Sequence, residues 1–413
     1  MSAAAGTRAE PCAPGGLAAL AWRRVRDALG RLPEGSLHLL LPDGSSERFG
    51  PGEGPSVTLE VSSWRLFRRL ALAGDVGFGE GYMAGEWRTD DLPGLLRLFI
   101  RAGQEVQGVA RGTAALRLAR RLLHLSRRAT RSGSRRNVAA HYDLSNDFYR
   151  FWLDPSMTYS CAIFAHPEEP LELAQRRKLE RVARLAGLGA GQRVLEIGCG
   201  WGSFLELAAS RGCDALGLTL SPAQASHARA RLAAAGLPAR VELVDYRDCG
   251  GVFDAVVSIE MLEAVGHARL PEFFAALDRL LAPGGVAVIQ SITIPDHRYR
   301  AYRRNPDFIQ KHIFPGGHLP SLAAIAAALV PTRLVIDSLE NIGPHYALTL
   351  RRWREAFLEQ RPAIRALGFD DTFLRRWEYY LAYCEAGFAE RVLGDLQLTL
   401  RRAGEPPRTG ATP

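Results

Sequence analysis

The sequence predicts an α/β fold: a mostly parallel sheet covered by helices on both faces, preceded by a smaller α+β domain. Three observations predict it. From Asn137 onward, short apolar runs of the kind found in buried strands alternate with helical stretches. One strand–turn–helix corner carries glycines at 198, 200 and 202. The first hundred or so residues lack that alternation and mix strand-like runs with Pro/Gly/Ser turns.

The elements follow in chain order. Residues 1–16 are Ala/Gly/Pro-rich and read as a disordered N-terminus. An N-terminal domain over 17–110 holds a helix at 17–29, strands at Leu37–Leu41 and Val57–Val61, and a helix from Trp64 to about Ala73. Residues 77–87 read as too Gly-rich for a regular element. A basic linker, 111–136, leads to the main domain, 137–403, and a disordered tail, 404–413. In the main domain, helix Leu171–Ala186 leads into strand Arg193–Ile197 and helix Ser203–Ala209. Strand Ala215–Leu220, helix Pro222–Ala235 and strands Val241–Asp245 and Ala255–Ile259 come next. Helix Leu270–Leu281, ended by Gly284-Gly285, precedes strand Val286–Ile292. Strand Arg333–Asp337, helix Phe373–Val392 and strand Gln397–Arg401 complete the pattern.

Composition bounds the class. A chain of 413 residues that is 47% hydrophobic supports two domains with real cores. No run approaches the roughly 18 apolar residues of a spanning helix. Arg23, Arg24 and Arg26 interrupt the apolar stretch that a signal peptide would need. Six cysteines lie far apart with no C-x-x-C pair, which argues against a disulfide framework or a metal site and fits a reducing cytosol. The net charge of +8 is concentrated. Arginines 111, 117, 120, 121, 127, 128, 131, 135 and 136 are interleaved with leucines, with no acid among them. Such a segment suits a basic amphipathic helix on an anionic bilayer. A solvated linker helix and a nucleic-acid patch are the competing readings.

The stretch Val194-Leu195-Glu196-Ile197-Gly198-Cys199-Gly200-Trp201-Gly202 is the chemical centre of the pattern. Glycines there allow a sharp turn and close approach of a ligand to the backbone. No Lys follows, so it is not a phosphate-binding loop. An acid inside the strand suits a cationic or hydroxyl-bearing ligand better than a pyrophosphate. The pattern resembles the first motif of S-adenosylmethionine-dependent methyltransferases. Other strand ends carry Thr219-Leu220-Ser221, Asp245-Tyr246-Arg247, Glu260–Glu263 and Gln290-Ser291-Ile292, and ligands in such sheets bind beyond those ends. The second strand ends without the usual acid; Thr219 and Gln224 offer neutral hydrogen bonds instead.

Further motifs narrow the family. They are Asn137–Tyr149 (NVAAHYDLSNDFY), Met157–Ala162 (MTYSCA), Ala174-Gln175 with Lys178, Met261–Gly266 (MLEAVG) and Ile313–Ser321 (IFPGGHLPS). Together with Gly77–Trp87 this ordered set resembles the cyclopropane-fatty-acyl-phospholipid synthase family, over about Trp64 to Arg402. The resemblance implies a Rossmann-like class I methyltransferase domain with a seven-stranded mostly parallel sheet, its terminal strand antiparallel. It implies transfer of the S-adenosylmethionine methyl group to a cis double bond in an acyl chain of a membrane phospholipid. The resulting carbocation is then deprotonated by bound bicarbonate, closing a cyclopropane. A carbocation must be kept from water, and Tyr142, Phe148, Tyr149, Trp152, Tyr159, Phe164, Phe308 and Phe314 are candidate wall residues, with core packing the alternative.

By the same resemblance, Cys161, Glu263, Ile292 through its backbone and Tyr346 would cradle bicarbonate, with Cys161 a neutral donor. Tyr346 is read as a loop residue. Tyr142, Tyr159 and Ser160 would fold over the cofactor. Gly198, Gly200 and Gly202 would hold its methionine part beside Glu196; Thr219, Leu220 and Gln224 would flank the ribose; Asp245, Tyr246 and Arg247 would lie at the adenine. Asp296–Pro320 reads as a long loop covering the acyl chain. Two positions depart from the family: Gln290 stands where many members have His, and Glu263 is followed by Ala264 rather than His. Gln cannot take a proton near neutral pH, so a methylene- or methyl-branched product is the alternative outcome. A small-molecule amine N-methyltransferase and a non-catalytic lipid-binding protein are the other readings. The expected setting is cytoplasmic and peripheral to a phospholipid bilayer, with a homodimer left open and no nucleic acid.

Overall fold

The computed structural model describes residues 14–103 and 145–405. Tyr142, the basic segment 111–136 and nearly all of both expected disordered termini lie outside the described residues. The described residues divide into two units, 14–103 with 368–390, and 145–367 with 391–405.

The smaller unit has helix α1 (Gly16–Leu29) and a four-stranded sheet of β1 (Ser36–Leu40), β2 (Ser46–Phe49), β3 (Ser56–Val61) and β4 (Trp87–Thr89), in the order β2-β1-β3-β4. Helices α2 (Arg65–Met83) and α3 (Leu92–Arg101) share this unit with the late helix Asp371–Ala389. The Gly-rich stretch after 77 is helical, against the sequence expectation: α2 bends at Gly74 (φ 61°, ψ −135°) and continues to Met83. Close packing explains the glycines. A Cβ on Gly77 would lie 2.3 Å from the Arg69 carbonyl oxygen, and one on Gly81 would lie 2.9 Å from the Leu66 side chain. Trp87 closes the corner, its indole N–H donating to the Phe78 carbonyl at 2.9 Å while the two rings stack at 4.2 Å.

In the larger unit, α4 (Asn146–Arg150) and α5 (Leu171–Leu185) precede the alternation β5 (Arg193–Ile197), α6 (Ser203–Ser210), β6 (Asp214–Leu218), α7 (Pro222–Ala234), β7 (Arg240–Glu242), β8 (Phe253–Ile259), α8 (Leu270–Leu280) and β9 (Leu281–Thr293). Then come α9 (Asp296–Tyr302), α10 (Phe308–His312), α11 (Leu322–Leu329), β10 (Leu334–Asn341), α12 (Gly343–Glu359), α13 (Arg361–Ala366) and β11 (Gly394–Arg402). The seven strands run in the order β10-β11-β9-β8-β5-β6-β7. Only β11 opposes its neighbours β9 and β10. Successive strand side chains point to opposite faces. Leu195, Val256, Ala287 and Ile289 accordingly bury in one core layer, and Val194, Ala255, Val257 and Val288 in another. A sheet buried on both faces needs strands apolar throughout, which is why its register was readable.

Three local expectations change. Helix α8 ends at Leu280, before Gly284-Gly285, because Ala282 precedes Pro283 and the residue before proline is pushed out of helical geometry. Tyr346 lies in the first turn of α12, which Pro344 opens, and not in a loop. Residues 296–320 contain α9 and α10, the latter started by an Asp307/Gln310 capping box. Among the described residues no helix is long and apolar enough to cross a membrane.

Candidate active site

The sheet order reverses direction at β5, with β6 on one side and β8 on the other. A crevice forms beyond the carboxyl ends of strands at such a point. It holds a cavity of about 200 Å³. Its walls include Tyr159, Ser160, Glu196, Gly198, Gly200, Thr219, Leu220, Gln224, Asp245, Tyr246 and Arg247. Gly202 is not a wall residue. It starts α6 at φ 89°, and a Cβ there would lie 2.9 Å from that of Ala228 on α7. Its role in the described structure is packing the corner.

Glu196 is buried in β5 and faces the cavity, and its Oε2 has no hydrogen-bond partner among the described residues. Burial pushes this carboxyl up to about 8. An orphaned acid of this kind fits the ammonium end of S-adenosylmethionine. Gly200, at φ 51°, has open space where a Cβ would stand. At the second strand end, Thr219 donates its hydroxyl to the Gln224 side-chain carbonyl at 2.9 Å, a neutral pair at the expected ribose position. Asp245 accepts from its neighbour Arg247 through Nε at 2.8 Å and Nη2 at 2.5 Å. The pair forms the wall at the expected adenine end.

The segment 157–161 is held in place by α5. Gln175 donates to the carbonyls of Thr158 and Ser160 at 3.2 and 2.8 Å. Lys178, fully buried, donates to the Ser160 hydroxyl at 2.7 Å. Burial pulls its ammonium down, while Glu260, Cys161, Asp395 and Glu196 hold it up. Aromatic rings back this segment: Tyr159 lies 5.3 Å from Trp152 and from Trp353, and stacks on Phe314 at 6.4 Å.

Behind the cavity stands a buried polar cluster that sequence reasoning located only in part. Its centre is Glu260, at the end of β8. Its Oε1 accepts from the Cys161 N–H and from Gln290 Nε2, both at 2.8 Å. Its Oε2 accepts from the Tyr346 hydroxyl at 2.6 Å. Gln290 gives its second amide hydrogen to Asp395 at 2.9 Å and accepts from Gln397 at 3.0 Å. Glu263 accepts from the Ile292 N–H at 2.5 Å and the Ser291 hydroxyl at 3.0 Å. Burial pushes Glu263 up to about 8, helped by the charge of Glu260. Burial, then Glu260 and Glu263, push Asp395 well above the usual carboxylate range. Burial, with Asp395 and Glu260 nearby, also raises the Cys161 thiol, which is therefore neutral. The backbone of Glu263 accepts from the His318 N–H at 2.8 Å, tying the FPGGHLPS turn to the cluster.

Cys161, Glu263, Gln290, Ile292 and Tyr346 thus come together, but around two carboxylates of the chain. Glu260, Lys178 and Asp395 were not singled out as site residues. The signals were that Glu260 stands at a strand end beside Glu263 and that Lys178 follows Ala174-Gln175 in the motif set; Asp395 carried none. The cluster does not fit a bicarbonate ion held by those groups. The N–H groups of Cys161 and Ile292, the Tyr346 hydroxyl and both Gln290 amide hydrogens already have acceptors within the protein. The cavity, in contrast, fits S-adenosylmethionine.

The comparisons agree with this geometry. The family model for mycolic acid cyclopropane synthetase matches residues 129–398. Tuberculostearic acid methyltransferase UfaA1 of Mycobacterium tuberculosis is 45% identical over 410 residues, covering 94% of this chain and 92% of the relative. The cyclopropane-fatty-acyl-phospholipid synthase of Escherichia coli is 36% identical over 351 residues, covering 84% of this chain and 87% of the relative. The solved structure of mycolic acid cyclopropane synthase CmaA1, complexed with SAH and CTAB, matches with a TM-score of 0.61 at 32% identity, covering 65% of this chain and 98% of that one. The chain belongs to the cyclopropane synthase family of S-adenosylmethionine-dependent methyltransferases.

Proposed function

We propose that this enzyme methylates the cis double bond of an unsaturated acyl chain carried by a membrane phospholipid. Bound in the cavity, S-adenosylmethionine supplies a methyl group on a positively charged sulfur. The alkene is the nucleophile, so no nucleophilic side chain is required, and the neutral Cys161 thiol accords with that. The carrying observation is the pairing of an aromatic wall, Tyr159 backed by Trp152, Trp353 and Phe314, with a part-buried carboxylate, Glu260, in one cavity. Aromatic faces favour cations, and a closed apolar wall keeps water from a carbocation. A base then removes a proton.

Cyclopropane is the product the Escherichia coli relative's name supports. A methylene-branched chain, which becomes a saturated methyl branch only after a separate two-electron reduction, is the second reading. Gln290 at the position where histidine was expected favours it, as does the relative named for tuberculostearic acid rather than for a cyclopropane. Incubation with S-adenosylmethionine and vesicles of mono-unsaturated phospholipid tests both. A gain of one CH₂ is expected. High-field ring-proton signals in the extracted lipid identify a cyclopropane, and vinylidene signals a methylene branch. No gain with any cis-unsaturated phospholipid, or turnover of a soluble amine without vesicles, refutes the reading.

We place the reaction at an anionic membrane surface, on the strength of the arginines between 111 and 136. Replacing those at 117, 120, 121, 127 and 128 by Gln should weaken sedimentation with anionic vesicles, most at low salt. An unchanged partition makes the segment a linker.

A further inference from the structure

We propose that the Glu260 carboxylate fills the anion cradle of this pocket and is itself the proton acceptor, so that the enzyme works without bicarbonate. This rests on the reading that an alkene is methylated here.

Two of the residues expected to hold an exogenous anion hold Glu260 instead, Cys161 through its N–H at 2.8 Å and Tyr346 through its hydroxyl at 2.6 Å, and Gln290 joins them at 2.8 Å. A carboxylate presents the same planar O–C–O edge as bicarbonate, and each donor hydrogen serves one acceptor in this geometry. The two anions therefore exclude one another. A second negative charge beside the Glu260 carboxylate would also be repelled.

Position supports the role. Glu260 lines the cavity together with Tyr159, Gly198 and Gly200. Cys161, Glu263, Gln290, Ile292 and Tyr346 are not wall residues; of these, Cys161, Gln290 and Tyr346 bond Glu260 and aim it. The backbone gives an independent sign. Glu260 has φ 49°, in the left-handed region that favours glycine. A side chain kept there costs about 1 kcal/mol or more and persists when its surroundings over-determine it. The strained residue is the one that delivers the carboxylate.

The step balances. As the alkene π pair bonds the methyl carbon, the carbon–sulfur pair stays on sulfur and positive charge appears on the adjacent chain carbon. Glu260 takes a proton from the new methyl group, and the C–H pair closes the ring. If a hydride first shifts to the cationic carbon, the same proton transfer leaves an exocyclic methylene. Glu260 ends as a carboxylic acid in either case.

The test uses the full-length enzyme and ¹³C-bicarbonate. By ¹³C NMR the wild type should retain no labelled ion, and its turnover should be unchanged in CO₂-free buffer. Glu260→Gly suits the φ of this position, so the fold should survive. It should bind bicarbonate in the vacated cradle and lose at least ~100-fold in turnover, the scale of a removed general base. Added bicarbonate should restore part of the loss. Glu260→Gln, which keeps the shape but not the base, should be equally inactive, bind no bicarbonate and resist rescue. Retention of bicarbonate by the wild type, failure of Glu260→Gly to bind it, or activity in Glu260→Gln overturns the proposal. If the wild type adds no CH₂ to any lipid, the function reading fails, while the binding results still decide this one.

Discussion

Replacing Glu196 by Gln should weaken cofactor binding and remove its pH dependence. Glu196 Oε2 is buried, faces the cavity and has no hydrogen-bond partner among the described residues. A ligand ammonium there forms a charge-assisted hydrogen bond, and such bonds contribute roughly 1.5–3 kcal/mol. At about 1.4 kcal/mol per tenfold, Glu196→Gln should raise Kd about 10- to 150-fold. The pH profile follows from the carboxyl lying at about 8 in the free protein. Below that pH the free acid holds a proton, and pairing with an ammonium requires its release. A free α-amino group titrates near 8, so the ligand is fully charged at pH 6 to 7. Affinity should therefore rise about tenfold between pH 6 and pH 7, with about one proton released per binding event. Calorimetry with S-adenosylhomocysteine, in two buffers of different ionisation enthalpy, measures both. A Kd within twofold of wild type, or an unchanged pH slope in Glu196→Gln, refutes the placement of the ammonium.

Three further variants probe the cluster and the corner. Gln290→Leu keeps the volume but removes the amide between Glu260 and Asp395; Asp395 loses its donor and the Gln397 amide its acceptor, so stability should fall about 2–4 kcal/mol in urea melts, and a loss under 1 kcal/mol contradicts the network. Gly202→Ala should cost about 1–3 kcal/mol of stability through its φ of 89° and the contact with Ala228, yet leave the affinity of the folded protein for S-adenosylhomocysteine unchanged. A tenfold affinity loss would instead put Gly202 on the ligand. Glu263→Gln should abolish turnover but keep S-adenosylhomocysteine binding, because Glu263 is not a wall of the donor cavity; loss of binding would reverse that assignment.

The sheet was legible because its strands are buried on both faces and read as short apolar runs between helices. The strand Arg193–Ile197 coincides with its expected range for that reason. Misreadings arose where one residue type serves two purposes. Glycine marks turns in most contexts, but Gly77 and Gly81 sit inside a helix because neighbouring atoms leave no room for a Cβ. In the site, residue types at strand ends could be read, but not their pairing. Four acids stood near the right strand ends, and which one meets Cys161, Gln290 and Tyr346 is decided by the backbone angle at Glu260. That angle leaves no mark in composition or periodicity.

The cluster also links the charge of the methyl donor to the strength of the base. Glu196, Glu260 and Asp395 act on the buried Lys178, Glu263 stands beside Glu260, and burial raises all four acids. A raised carboxyl is a poor acid and, once ionised, a strong proton acceptor. Its difficulty is staying ionised. A positive sulfonium entering the cavity that Glu260 lines favours the ionised form, because an opposite charge within a few ångströms lowers a carboxyl's pKa. S-adenosylmethionine and S-adenosylhomocysteine share the ammonium that faces Glu196 and differ in the charge on sulfur. Binding the charged donor at pH 7, without lipid, should therefore release more protons than binding the neutral product. Glu260→Gln should abolish the difference and leave the Glu196 contribution in place. Proton counts from calorimetry in paired buffers decide the matter. Equal release by the two ligands in the wild type would separate the base from the donor charge and leave its ionisation to Lys178 alone.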